Sequence, residues 1–215
     1  MHKKIIMACM AIAAFAAFVV APAASASPVL TNGGSSVPAG TSVTGINTGA
    51  TFFKGFGGAL TVECSTAILH GTVTANTGTT IAGEVAVGQA TFGGTGGADP
   101  TAPGGEPECT SNIGDTTVTV NSKLCFDTVK ATDNVSIDGC GNPITFTLNV
   151  TSSGSCVYSQ NSITGTFKTN ATATVNLAGV EAAKEAGPFF CPGNGTLTMD
   201  FDLYTAGGAA LLSVS

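Results

Sequence analysis

Apolar and polar residues alternate along several stretches of the chain. In residues 195–204 nearly every second residue is large and apolar, and threonine or aspartate stands between them. Residues 144–151 repeat this alternation, as does the shorter stretch 116–121. A period of two residues puts the apolar side chains on one face of a strand and the polar side chains on the other. These stretches therefore predict half-buried antiparallel strands.

A longer alternating region predicts a β-hairpin. Its arms are residues 59–75 and 79–92, and the turn-forming sequence Asn-Thr-Gly at 76–78 connects them. The apolar phase changes part-way along the first arm. We therefore expect a β-bulge near residues 65–67.

The remaining alternation predicts an all-β fold. Five more strands are expected, at residues 41–53, 124–130, 134–137, 156–168 and 173–177. Only residues 180–186 have a helical composition, and the flanking glycines limit a helix there to two turns. A total of roughly nine or ten short strands is typical of an antiparallel β-sandwich, or of a flattened barrel if the sheets close. Residues 93–108 form a long loop that is either functional or disordered.

The N-terminus has the layout of a secretory signal peptide. Lys3 and Lys4 precede an uncharged apolar run at residues 5–20, and Ala-Ser-Ala at 24–26 supplies the small residues of a cleavage site. We expect residues 1–26 to be removed and residues 27–215 to form a single secreted all-β domain. The apolar run is shorter than a typical membrane span of ~20 residues, so no span is expected after cleavage.

Cysteine usage agrees with export. The predicted mature chain holds six cysteines: Cys64, Cys109, Cys125, Cys140, Cys156 and Cys191. An even number in an exported chain predicts three disulfides. No two cysteines have the CxxC spacing of a metal site, and His70 is the one histidine outside the signal peptide. We therefore expect neither a metal site nor a cofactor.

The expected pairing follows from the predicted hairpin. Its turn brings Cys64 across from the neighbourhood of residue 90, and the loop after residue 92 can return Cys109 to that strand. A Cys140–Cys156 bond is disfavoured, because the predicted strand between these residues spans about 20 Å. For the other cysteines the preferred bonds are Cys125–Cys156 and Cys140–Cys191.

Charge narrows the range of partners. The chain has thirteen carboxylates and seven basic residues, all of them lysines and two of them in the predicted signal peptide. Phosphate backbones are bound by basic surfaces, so no nucleic-acid partner is expected. Tryptophan is absent and tyrosine occurs only twice, which disfavours sugar binding by aromatic stacking. The expected partner is an extracellular or envelope protein.

Candidate catalytic groups are few. Asp200 and Asp202 lie two residues apart on a predicted strand, which puts both carboxylates on one face about 7 Å apart, as a glycosidase or a calcium site could require. Any solvent-facing strand gives the same arrangement, so a solvated face is the preferred interpretation. His70 has the opposite phase to its apolar neighbour Leu69 and is expected to face solvent. Asp133 and Asp138 lack the spacing of a calcium loop.

Several segments carry a resemblance to known proteins: SPVLT at 27–31, GTSVTG at 40–45, LTVECSTA at 60–67, GTVTANTG at 71–78 and FCP at 190–192. They resemble a group of small uncharacterised secreted proteins of high-GC Gram-positive bacteria. The resemblance implies secretion and a β fold. It implies no activity, cofactor or site residue.

Three functional hypotheses remain open. The first is a secreted, non-enzymatic interaction protein or envelope-associated structural protein. The second is a binder of a small apolar ligand between the sheets, in a cavity with a lining that includes Phe146, Leu148, Met199 and Phe201; it requires a cavity larger than ~300 Å³. The third is a hydrolase that uses Asp200 and Asp202, which requires carboxylates converging in a cleft. If neither requirement is met, the first hypothesis is preferred.

Overall fold

The structure is a computed structural model that describes residues 29–78, 80–93, 109–129, 134–151, 153–168, 172–208 and 210–214. The predicted signal peptide and almost all of the predicted loop at 93–108 lie outside these residues. Within them, the regular structure consists of strands and two short 3₁₀ turns. The prediction of an all-β fold is confirmed.

Seventeen strands follow one another along the described part of the chain. They are β1 (Leu30–Asn32), β2 (Ser35–Ser36), β3 (Ser42–Asn47), β4 (Thr51–Gly55), β5 (Thr61–Cys64), β6 (Thr66–Thr77), β7 (Thr80–Gly93), β8 (Cys109–Ser111), β9 (Gly114–Val120), β10 (Leu124–Val129), β11 (Asn134–Asp138), β12 (Ile144–Val150), β13 (Gly154–Gln160), β14 (Ser162–Lys168), β15 (Thr174–Ala186), β16 (Asn194–Thr205) and β17 (Ser213–Val214). The number exceeds the prediction partly because three predicted strands are each divided, at residues 48–50, at Ser65 and at Asn161.

Fourteen of these strands pair in an antiparallel manner to form a closed ring. The pairing of β15 with β16 crosses the ring and divides it into two circuits. The first circuit contains β3, β6, β7, β10, β11, β14, β15 and β16. The second contains β4, β5, β8, β9, β12, β13, β15 and β16. The sheet therefore closes, as in the barrel form of the predicted fold.

Alternating burial explains why the strands pair in this way. Along β12 the apolar residues are buried, and the threonines and the asparagine between them lie half-buried or exposed. On β16, Met199 and Phe201 are buried, and Leu197 and Leu203 pack against the core. The inward residues of both circuits belong to one hydrophobic cluster. Burial of the inward face of the ring strands is thus the main source of stability.

A small sheet of β17, β1 and β2 packs beside the β6–β7 turn. The Asn76 side chain accepts a hydrogen bond from the Leu30 N–H at 2.9 Å and donates to the carbonyls of Leu30 and Val37 at 2.8 and 2.7 Å. Asn76 was predicted as a turn residue, but it lies in β6, and the turn begins after Thr77, which pairs with Thr80. This asparagine therefore attaches the small sheet to the ring.

The predicted β-bulge at 65–67 is a change of partner between two strands. β5 pairs with β4 and β8, whereas β6 pairs with β3 and β7. At the break, the Asn47 side chain donates to the Ser65 carbonyl at 2.9 Å and accepts from the Ala67 N–H at 2.8 Å. These bonds satisfy backbone groups that a continuous ladder would otherwise pair.

The helical interpretation of residues 180–186 is wrong, because these residues form the second half of β15. Val180 pairs with Leu197, and Ala182, which pairs with Gly195, is buried. Gly179 has a φ of 66° and occupies a register shift in the β15–β16 ladder, a conformation that favours glycine. Pairing on both edges outweighs the modest helical propensity of this segment.

The three disulfides are Cys64–Cys109, Cys125–Cys140 and Cys156–Cys191. The first bond was predicted correctly, and the disfavoured Cys140–Cys156 bond does not form. The preferred bonds Cys125–Cys156 and Cys140–Cys191 are wrong. β10 and β11 form a hairpin in which Cys125 faces Asp138, so Cys140 is two residues from the register position of Cys125. β13 pairs with the end of β15, and the next turn carries Cys191 back to Cys156.

Candidate functional site

Asp200 and Asp202 lie on the outer face of β16, opposite the buried Met199 and Phe201. The Asp200 carboxylate accepts a hydrogen bond from the Asn176 amide of β15. Asp202 accepts one from the Thr174 hydroxyl at 2.6 Å. Neither carboxylate lines the two cavities described below. Both are half-buried cross-strand partners, so they are less solvated than predicted and they do not converge in either cavity.

His70 lies on the outer face of β6, as predicted, and contributes to a polar cleft of about 310 Å³. Opposite it, β7 bulges outward through four exposed residues, 86–89. The His70 Nδ1 atom lies 3.5 Å from the hydroxyl of Thr44. Glu84 is the one carboxylate of this cleft and forms an ion pair with Lys123 at 2.5 Å. The cleft thus lacks the second carboxylate that a glycosidase-type pair needs.

An apolar cavity of about 150 Å³ lies inside the ring. Its lining includes the four residues predicted for a ligand cavity: Phe146, Leu148, Met199 and Phe201. The volume is below the ~300 Å³ of a typical ligand site. Thr51 also lines this cavity, and its hydroxyl is buried without a hydrogen-bond partner.

Other predicted groups have structural roles. The Asp138 carboxylate accepts a hydrogen bond from the Cys140 N–H at 2.7 Å and so shapes the turn that carries this cysteine; Asp133 lies outside the described residues. In the described part of the chain, no three histidine, cysteine or acidic side chains are grouped to hold a metal ion. A search of the same residues finds no helix that is long and apolar enough to cross a membrane.

Exposed apolar residues concentrate at one end of the second circuit. Five large apolar side chains are exposed among the described residues. Three of them, Phe56, Ile113 and Phe189, lie in the β4–β5, β8–β9 and β15–β16 turns, and they are 85%, 38% and 98% exposed. We call this group the apolar end. The other two, Val87 and Leu211, lie on the β7 bulge and near β17.

The three turns are neighbours because the strands that carry them pair with one another. β4 ends where β16 begins, since Gly55 pairs with Gly195, and a Cβ on Gly55 would collide with the Pro192 ring. β8 pairs with β5, and the Asn112 side chain bonds the carbonyl of Ala59 at 3.3 Å. The β4–β5 turn therefore stands between the other two turns.

The β15–β16 turn is held firmly although Phe189 points into solvent. The Cys156–Cys191 disulfide attaches it to β13. The Pro192 carbonyl accepts a hydrogen bond from the Tyr158 hydroxyl at 3.2 Å, and the Cys191 carbonyl accepts one from Lys184 Nζ at 3.1 Å. Little conformational entropy remains to be lost when such a turn binds a partner.

The turns of the apolar end carry no charge. Residues 55–60, 111–114 and 186–194 contain no acidic or basic side chain. The nearest charges are Lys54, Asp115 and Glu185, which directly flank these segments. Phe56 and Phe189 are thus exposed in turns that carry no charge.

The alternating pattern of the sequence does not identify the apolar end. A signal was available, because the Phe-Phe pair at 189–190 stands between two prolines and Phe56 stands between glycines. Large apolar residues inside a turn composition have no strand face on which to be buried. The pattern alone does not reveal that Phe189 is exposed whereas its neighbour Phe190 packs against the core.

No protein-family model matches the chain, and comparison with curated proteins and with solved structures finds no match. Function is therefore inferred from the geometry and chemistry of the molecule itself.

Proposed function

We propose that this is a secreted, non-enzymatic interaction protein of the extracellular space or cell envelope, and that the apolar end is its contact surface. The observation that carries the proposal is the exposure of Phe56 and Phe189 on adjoining turns, of which the β15–β16 turn is attached to β13 by a disulfide. Buried aromatic anchors often dominate the binding energy of an interface. A rigid turn presents such an anchor at a low entropic cost.

Two further features support the proposal. Three disulfides in a chain of this size are typical of oxidising, extracellular compartments. The apolar cavity is smaller than the ~300 Å³ that the ligand hypothesis requires. Asp200 and Asp202 line neither cavity, whereas the hydrolase hypothesis requires carboxylates that converge in a cleft. The apolar end thus supports the interaction hypothesis, whereas the two cavities do not meet the requirements of the other two hypotheses.

The experiment is a capture assay with tagged mature protein, envelope extract and culture medium of the producing cell. The Phe56→Ser/Phe189→Ser variant removes the two anchors. Val87→Ser is the matched control, because Val87 is 60% exposed but lies on the β7 bulge. We expect the double variant to lose at least about tenfold of the captured material and the control to retain it. Equal capture by all three proteins would refute the proposal.

A further inference from the structure

The apolar cavity inside the ring contains one buried polar group without a partner. Thr51 is 3% exposed and lines the cavity, and its hydroxyl has no hydrogen-bond partner. No other buried side-chain oxygen or nitrogen of the described residues lacks one. A buried hydroxyl without a partner lowers stability, and proteins satisfy nearly all such groups. A partner from outside the chain would explain the exception at Thr51.

The Thr51 side chain is held in a fixed position at the wall of the cavity. Thr51 pairs with Cys64 across the β4–β5 ladder, and a disulfide attaches Cys64 to β8. Phe53, two residues along β4, also lines the cavity. Its ring packs against those of Phe146 and Tyr158, with centroids 5.9 and 4.7 Å away. The hydroxyl is thus positioned in advance, which lowers the entropic cost of binding a guest.

The lining of the cavity is poorly suited to water. Apart from Thr51, its side chains are apolar except for Thr72, Glu84 and Thr128, which are only half-buried. Glu84 is engaged in the ion pair described above, and Thr128 accepts from the Ile81 N–H and donates to the Ile81 carbonyl. A buried water typically needs about two to four polar partners. One hydroxyl in an apolar space suits an organic guest that has a single polar group.

The volume of the cavity sets the size of the guest. At about 150 Å³ the cavity is too small for a drug-sized ligand. Apolar cavities of about this volume can nevertheless bind a molecule of the size of benzene. A compact hydrocarbon of about six carbon atoms therefore matches the cavity.

We infer that the cavity is a binding site for a small hydrocarbon with a single hydroxyl group, such as a simple phenol, and that the Thr51 hydroxyl forms a hydrogen bond with that group. Each of the two hydroxyls can donate or accept, so the pair is satisfied in either direction. The apolar lining holds the carbon skeleton. The inference goes beyond the proposed function and does not depend on the apolar end.

A guest can enter between β7 and β9. The two strands lie side by side, but within the described residues no ladder pairs them. The pairing of β7 with β10 ends at Val85, and β7 then bulges outward. Val118 and Val120 of β9 line the cavity and are only half-buried. Movement of these side chains opens a path to the cavity that breaks no backbone ladder.

Fluorine NMR with a matched pair of probes tests the inference. The probes are 4-fluorophenol and fluorobenzene, which differ by one hydroxyl. Thr51→Val removes the hydroxyl of the protein and keeps the shape of the side chain. Thr116→Val is the matched control, because Thr116 is also buried but does not line the cavity.

The wild-type protein should bind both probes. Thr51→Val should weaken the binding of 4-fluorophenol at least about tenfold, because the hydroxyl of the probe then has no partner, and should not weaken the binding of fluorobenzene. Thr116→Val should leave both affinities unchanged. Intermolecular nuclear Overhauser effects from 4-fluorophenol should reach the methyl groups of Val62 and Leu148, which line the cavity.

The inference would be overturned if neither probe binds, or if Thr51→Val weakens the binding of 4-fluorophenol no more than Thr116→Val does. Nuclear Overhauser effects that reach only residues outside the cavity would also overturn it.

Discussion

Two buried threonines face the interior of the second circuit and differ in one hydrogen bond. The Thr116 hydroxyl donates to the Gly114 carbonyl at 3.3 Å, whereas the Thr51 hydroxyl has no partner. A buried hydroxyl without a partner loses its hydrogen bonds to water and gains none in return. The two residues are thus a natural pair for measuring the cost of an unsatisfied group.

Thr51→Val should raise the free energy of unfolding by about 1 kcal/mol, because valine has the shape of threonine and no polar atom. Thr116→Val should lower it by about 1 kcal/mol, because a satisfied hydrogen bond is lost. Denaturant unfolding with the disulfides intact gives both values. A loss of stability in Thr51→Val would mean that its hydroxyl has a partner in solution.

Tyr158 is fully buried, and burial raises the pKa of its hydroxyl to about 12. A tyrosine in the unfolded chain titrates near pH 10. The folded state therefore resists ionisation of Tyr158, and the stability linked to its neutral form is present below about pH 10 and lost as the pH rises towards 12. In a Tyr204→Phe variant, Tyr158 is the one remaining phenol. Its phenolate absorbance should rise near pH 12; a rise near pH 10 in the folded protein would contradict its burial.

Asp200→Ala and Asp202→Ala should each cost about 1 kcal/mol or less, because each removes one cross-strand hydrogen bond from a half-buried outer face. The matched Asp→Asn variants keep an acceptor oxygen and should lose less. Thermal or denaturant unfolding measures the series. A loss of several kcal/mol, or release of a bound metal on substitution, would assign these carboxylates a role beyond sheet pairing.

At the scale of elements, the alternating pattern identified strands well and their partners poorly. Residues 144–150 and 195–204 alternate clearly and form β12 and most of β16. The second half of β15 was not predicted. The helical propensity of its Ala, Lys and Glu residues can be read from the segment itself, whereas its ladder with β16 depends on residues elsewhere in the chain. The two wrong disulfides have the same cause, because the alternating pattern does not show that β10 pairs with β11. This pairing places Cys125 opposite Asp138 and therefore close to Cys140.

Gly179→Ala tests whether residues 180–186 form a strand that follows a bulge. The backbone at Gly179 has a φ of 66°, and a Cβ there would meet no atom within 4 Å, so the cost should come from backbone strain alone, about 1 kcal/mol. Gly49→Ala is the control, because Gly49 has open space and no positive φ. If Gly179→Ala is as stable as Gly49→Ala, the bulge is misplaced.

For the whole molecule, the sequence predicted the fold class and one disulfide but not the site. The exposure of Phe189 depends on how β13, β15 and β16 hold its turn, and that is a property of the assembled ring. Carboxylates such as Asp200 and Asp202 can be recognised in a sequence, and so can phenylalanines in a turn composition, but which of these phenylalanines is exposed is decided by the assembled structure. The central claim is that the apolar end, and no other surface, meets the partner.

Photo-cross-linking in the producing culture tests that claim most directly. Benzoylphenylalanine replaces Phe189 in one strain and Val87 in another, and the secreted protein is irradiated before extraction. We expect adducts with envelope material, protein or lipid, from position 189 and none from position 87, because the β7 bulge stays in solvent. Adducts from position 87 alone, or equally from both positions, would contradict the assignment of the apolar end as the contact surface.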